Sequence, residues 1–303
     1  MSQAFAYQDF DVMIARGDAG GYVTRVIRSP IGEARHEFQL EDIQPAMEAL
    51  REIPKVSEQA VQDAGRILYR TVFAGAVETA FAGSKQQASD EETGLRVRLR
   101  LTETPELAVI PWEYLYRDAE QKFLSLYVDT PIIRYVDLAK PIEPLTVDPP
   151  LRVLVMIPHG TAGAELDVER EWKLLQEATA QLQAAGLIEM ERLVDPSYLT
   201  LLRTLRQRTF NVFHFVGHGG FDDSGGYLLF DDPPNGEREV SATQLGPLIA
   251  DHDTMRLVVL NACEGARSAV DDTFAGIAQS LIANGIPAVT AMQAKISDRA
   301  ALG

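Results

Sequence analysis

The sequence predicts a two-part chain. A smaller α+β segment leads into an α/β domain with a mostly parallel sheet flanked by helices. Three observations carry this. The chain has 303 residues, of which 46% are hydrophobic and 24% charged, which suits about two globular domains, each with its own core. A proline-rich stretch, AKPIEPLTVDPP from Ala139 to Pro150, can continue neither a helix nor an interior strand and reads as a linker. Beyond it, apolar strands alternate with amphipathic helices, the pattern of parallel βαβ units. The expected division is residues 1–140, a linker over 141–150, and a second domain over 151–303.

The first segment opens with β signals. DFDVMIAR (Asp9–Arg16) alternates apolar and polar residues, GDAGG supplies a turn, and GYVTRVIR (Gly21–Arg28) alternates again, which together read as a hairpin. Ala34 to Leu40 is a candidate third strand. Ser57 to about Phe81 reads as one helix, with Val61, Ala64, Leu68, Val72 and Ala76 spaced by three and four. Leu95 to Leu101, LRVRLRL, is a period-2 strand. Its arginines, Arg96, Arg98 and Arg100, are expected on a solvated face. Trp112, Tyr114 and Tyr116 are expected to pack in a core or between domains rather than to cage a ligand.

The second segment begins with LRVLVMIP (Leu151–Pro158), a continuous apolar run of the kind found in parallel strands buried on both faces. A helix is expected from about Asp167 to Ala185, with Val168, Trp172, Leu175, Thr179 and Leu182 on one face. LIEMERL gives a second strand, and Tyr198 to Arg208 a second helix. Phe210 to Val216 gives a third strand, and Ser241 to Gln244 opens a short helix with a capping box. Met255 to Asn261 gives a fourth strand, Asp272 to Ala283 a helix, and Pro287 to Met292 a fifth strand.

Charge and cysteine content narrow the function. The 44 acidic against 28 basic residues give a formal charge of −16, which repels phosphate backbones and argues against nucleic acid or anionic membranes as partners. The chain has one cysteine, too few for an intrachain disulfide or a Cys-rich zinc site. The N-terminal MSQAFAYQDFDVM lacks the basic and apolar regions of a signal peptide, so a cytoplasmic protein is expected. The longest uncharged stretch, Thr273 to Ala294, is broken by Gln279, Asn284, Gly285, Pro287 and Gln293, and reads as core rather than membrane span.

Functional groups of a parallel sheet collect at the carboxyl ends of its strands. His218 lies just past the third strand of the second domain, within Gly217-His218-Gly219-Gly220. Cys263 lies just past the fourth, within Asn261-Ala262-Cys263-Glu264-Gly265. Neighbouring strands would bring the two to one rim, about 4.8 Å apart. A thiol with a pKa near 8.5 needs a base at neutral pH, and a histidine can take its proton and later protonate a leaving amine. The N–H groups of Gly219 and Cys263 are candidates for an oxyanion hole, and the glycines around His218 would let substrate approach the backbone. Taken singly, a cysteine at a strand end is more often a small buried hydrophobe, and a histidine in a glycine-rich turn is as readily a turn residue as a base. His214, between Phe213 and Phe215, reads as a satisfied core histidine. His36, His159 and His252 have no partner visible in the sequence. Competing motifs fail. Gly217-x-Gly219 is followed by Asp222 rather than glycine, Ala269 stands where a phosphatase loop needs arginine, and neither HExxH nor a Walker lysine occurs. No cofactor and no metal are expected.

HFVGHGGFD, LVVLNACEGARS and GIAQSLIANGIPAVTAMQAKISD together resemble the CHAT domain of the caspase-like and separase-like cysteine peptidases, from about Leu151 onward. SPIGEA, GLRVRLRL, PWEYLY and PIIRYV resemble the region that often precedes bacterial CHAT domains. The resemblance implies a caspase-like sheet and a cysteine endopeptidase with Cys263 as nucleophile, His218 as general base and an oxyanion hole from Gly219 and Cys263. It also implies a protein substrate, an activating partner protein, and a setting in bacterial defence or regulated cell death. Asp298 matches a position that lines an acidic S1 pocket in separase-like relatives. With Asp222-Asp223 and Asp231-Asp232 it suggests arginine or lysine at P1. The family's sheet continues beyond ISDRAA, so a C-terminally incomplete domain is expected at Gly303. The alternative functions are an inactive pseudoprotease acting as an interaction module and, with less support, a nucleotide-binding α/β domain.

Overall fold

Every strand read from the sequence is present in the computed structural model, which describes residues 6–18, 20–51, 56–135, 147–160, 167–222, 225–262 and 273–291. The chain divides into two units, 1–137 and 138–303.

The first unit begins with β1 (Tyr7–Arg16), β2 (Tyr22–Arg28) and β3 (Ala34–Phe38), an antiparallel meander. Then come α1 (Leu40–Arg51), α2 (Glu58–Val72), α3 (Ala76–Asp90) and β4 (Gly94–Arg100), with β4 parallel to β1. The short hairpin β5 (Tyr116–Arg117) and β6 (Lys122–Phe123) follows, and β7 (Ile132–Arg134) completes the sheet order β3-β2-β1-β4-β7. Alternation buries Phe10, Val12 and Ile14 of β1 with Leu95, Val97 and Leu99 of β4 in one core.

One omission and two expectations in this unit need correction. Helix α1 was not legible, because Pro45 lies inside it and reads as a breaker. It is held by Ile43, Ala46 and Leu50, all buried at spacings of three and four. The single helix expected over Ser57 to Phe81 is two. Phe73 leaves the helical region, and Gly75 turns the chain with φ of 55°, where glycine carries no Cβ penalty. The turn packs Phe73 on the rings of Tyr69 and Phe81, at 5.0 and 5.3 Å, a gain that apolar spacing alone does not reveal. The third correction concerns the β4 arginines. The β1–β4 register sets Asp9 beside Arg96 and Asp11 beside Arg98. Arg98 bonds Asp11, and Arg100 reaches the same carboxylate at 3.1 Å. The Tyr135 ring lies over both guanidiniums, 4.5 and 4.4 Å away. Only Arg96 is appreciably exposed, and Arg98 and Arg100 form a largely buried ionic layer.

The second unit is an α/β sheet. Its elements are β8 (Leu151–Met156), α4 (Val168–Ala184), β9 (Ile188–Arg192), α5 (Tyr198–Gln207), β10 (Val212–Gly217), β11 (Gly219–Asp222), β12 (Gly225–Asp232), β13 (Gly236–Ser241), α6 (Ala242–Ala250), β14 (Leu257–Ala262), α7 (Thr273–Ala283) and β15 (Ala288–Ala291). Five strands are parallel throughout, in the order β15-β14-β10-β8-β9. Strands β11, β12 and β13 form a separate antiparallel sheet. Burial on both faces explains the apolar runs. Leu154, Met156, Phe213, Phe215, Val258 and Leu260 pack against α5, α6 and α7, while Val153, Val155, Val212 and Val216 face Val168, Trp172 and Leu175 of α4. The capping box is present, with the Ser241 hydroxyl and the Gln244 side chain each accepting the other's backbone N–H. Among the described residues no helix is long and apolar enough to cross a membrane.

Candidate active site

The carboxyl rim of the parallel sheet is set by β10 and β14. They are adjacent and parallel, with Val212 opposite Leu257 and Gly217 opposite Ala262. Those last partners are the residues immediately before His218 and Cys263. Cys263 itself lies outside the described residues, as do Asp223 and Asp298. Asp222 closes β11, where its backbone pairs with Gly225.

His218 is 5% exposed, and its carbonyl accepts the Leu229 N–H at 2.9 Å. This contact fixes the phase of the β11–β12 ladder. His218 and Leu229 are a hydrogen-bonded pair, so the next pair, Gly219 and Leu228, is a non-hydrogen-bonded one by antiparallel alternation. The Gly219 N–H is therefore directed away from β12. Two other glycines of the turn have packing reasons. A Cβ on Gly217 would lie 2.7 Å from the Phe215 ring, and one on Gly220 would lie 2.2 Å from the Tyr227 hydroxyl. Close approach of substrate is thus not needed to explain either.

Three of the remaining histidines differ from expectation. His214 is partly buried on the α4 face of β10, and its Nε2, which is itself buried, has no hydrogen-bond partner among the described residues. Burial pushes its pKa down to about 4, so it is a neutral core histidine rather than a satisfied one. His252 does have a partner. Its Nε2 accepts the Phe210 N–H at 2.8 Å, and burial lowers its pKa. His159 is partnered as well, and sequence reasoning missed this. It follows β8, the neighbour of β10. Asp231 of β12 takes the His159 N–H at 3.1 Å on one oxygen and meets Nδ1 at 2.7 Å with the other. The pairing spans 72 residues and left no local signal. The available clue was that His159 sits past a strand end, as His218 and Cys263 do. Asp231 is therefore engaged, and Asp232 accepts the Asn235 side chain at 3.2 Å, so this pair is not an unoccupied acidic pocket. Among the described residues no three His, Cys, Asp or Glu side chains converge as a metal site.

Residues 62–303 match the CHAT domain family. The chain belongs to the CHAT domain family. The match starts inside α2 and so takes in most of the first unit as well as the second, more than the stretch from Leu151 that carries the resemblance in the sequence. No curated protein matches the chain. The CHAT assignment and the five-stranded parallel sheet agree on a caspase-like architecture preceded by a smaller α+β region.

Proposed function

We propose that this CHAT protein is a cysteine endopeptidase that cleaves a partner protein, with Cys263 as nucleophile and His218 as general base. The single observation that supports this most is the parallel β10–β14 register. It runs through Gly217 opposite Ala262, one residue short of both groups. His218 takes the thiol proton, and the Cys263 sulfur attacks the scissile carbonyl carbon. The tetrahedral intermediate collapses as the C–N bond breaks, and protonated His218 gives its proton to the leaving amine. Water, deprotonated by His218, then attacks the thioester and releases acid and thiol. The N–H groups of Gly219 and Cys263 stabilise the oxyanion. The orientation of the Gly219 N–H, away from the hairpin ladder, supports its share of that role.

Specificity for arginine or lysine at P1 is proposed through Asp298, Asp222 and Asp223. Asp231 drops out of that set, since His159 engages it. An activating partner, a cytoplasmic location and a role in bacterial defence or regulated death complete the reading. The test is reaction of the single cysteine with a thiol-directed probe at pH 7. Fast labelling that slows roughly a hundredfold in His218→Ala is the expected result. Slow labelling indifferent to that change would favour the pseudoprotease. Peptides that differ only at P1 test the pocket, and equal turnover of Arg, Asp and Leu substrates removes the basic preference.

A further inference from the structure

The proposed base lies beside a strand that one aspartate ties to two neighbouring loops. Strand β12 crosses the carboxyl rim of the sheet. At Leu229 its N–H holds the His218 carbonyl. At Phe230, fully buried, its ring stacks on Phe215 of β10 at 5.7 Å. At Asp231 it reaches two further loops. The carboxylate grips both the backbone N–H and the Nδ1 of His159 after β8, and the Asp231 N–H donates to Pro196 O at 3.1 Å, just before α5. The Asp231 side chain is 14% exposed, against 65% for His159. The grip is thus made from the protected side, by a charged acceptor whose hydrogen bonds are stronger than neutral ones.

We propose that Asp231 is a positioning residue for His218, fixing β12 against the sheet rim through His159 and thereby fixing the imidazole that serves Cys263. This rests on the Cys263–His218 reading. Three rim loops share this clasp, and Leu229 lies two residues from it, so its loss removes the side-chain anchor nearest the His218 contact and leaves β12 held by β13 and by the Phe230 ring. Small displacements of a base from its reaction partner cost much of its effect.

The experiment follows the rate of alkylation of the 303-residue chain by iodoacetamide against pH, which reports ionisation of the single cysteine. In the parent chain, where His218 takes the thiol proton, the rate is expected to rise at a lower pH than for a free thiol. His218→Ala moves the midpoint up toward about 8.5. Asp231→Ala moves it in the same direction by about one pH unit. Asp231→Asn, whose amide still accepts the His159 N–H and can donate to Nδ1, stays with the parent. His159→Ala, at an exposed ring, shifts the midpoint part of the way and serves if Asp231→Ala does not fold. If folded Asp231→Ala and His159→Ala melt lower yet keep the parental midpoint, the clasp is purely structural and the proposal falls. If His218→Ala itself leaves the midpoint unmoved, the dyad reading fails first and takes this proposal with it.

Discussion

His214 shows how one side chain can couple stability to pH. In the unfolded chain it titrates near 6.5, and in the fold burial holds it to about 4. Above pH 6.5 both states carry it neutral and nothing is lost. As pH falls from 6.5 toward 4, the unfolded chain binds a proton that the folded one refuses, so stability drops. The loss approaches about 3 kcal/mol near pH 4. Denaturant midpoints compared across this range should show His214→Leu losing that slope, and parallel curves for the two proteins would refute the assignment. Asp11 has the opposite sign. Burial opposes its ionisation, but hydrogen bonds from Arg98 and Arg100 outweigh it and hold the carboxyl below its usual range. Its contribution is full above the ordinary carboxylate range and disappears in stronger acid. At this scale the sequence showed which residues sit at strand ends, because apolar runs mark where strands stop. Whether His159 or His218 had a partner depended on β12, whose place the runs do not encode.

Elements were legible where one period dominated. The strands β8, β10 and β14 and the helices α4, α5 and α6 follow directly from apolar runs, alternation and capping residues. The α2–α3 break was not, since apolar spacing continues across Phe73 to Gly75 while the backbone turns. Helix α2 also carries a constraint that only packing reveals. A Cβ on Gly65 would lie 2.0 Å from the Tyr114 carbonyl oxygen, whereas one on Gly83 of α3 would meet the end of the flexible Ile31 side chain at 2.6 Å. Alanine is the better helix former at either site. Gly65→Ala is therefore expected to destabilise by about 3 kcal/mol through overpacking against backbone, and Gly83→Ala to change stability by no more than about 0.5 kcal/mol, because Ile31 can rotate away as helix propensity improves. Chemical denaturation of both variants checks this, and equal effects would contradict the packing argument.

For the whole molecule, the cores fall on separate stretches of chain. One is drawn from residues between Phe10 and Leu124, the others from residues between Val153 and Ile286. A fragment of residues 1–137 is expected to unfold cooperatively on its own, with near-ultraviolet dichroism from the packed Phe10, Tyr69, Phe73 and Phe81 rings. A featureless spectrum and a gradual melt would show that the first unit does not fold alone. The sequence by itself determined the class of each part, the strands of the parallel sheet and the residues at their carboxyl ends, because these are properties of local period and of burial on one face or two. Only the tertiary structure decided which strands are neighbours, that Asp11 neutralises arginines 87 and 89 residues away, and that Asp231 grips a histidine 72 residues distant. Such pairings arise when chain crossovers bring groups together across gaps that no periodicity spans.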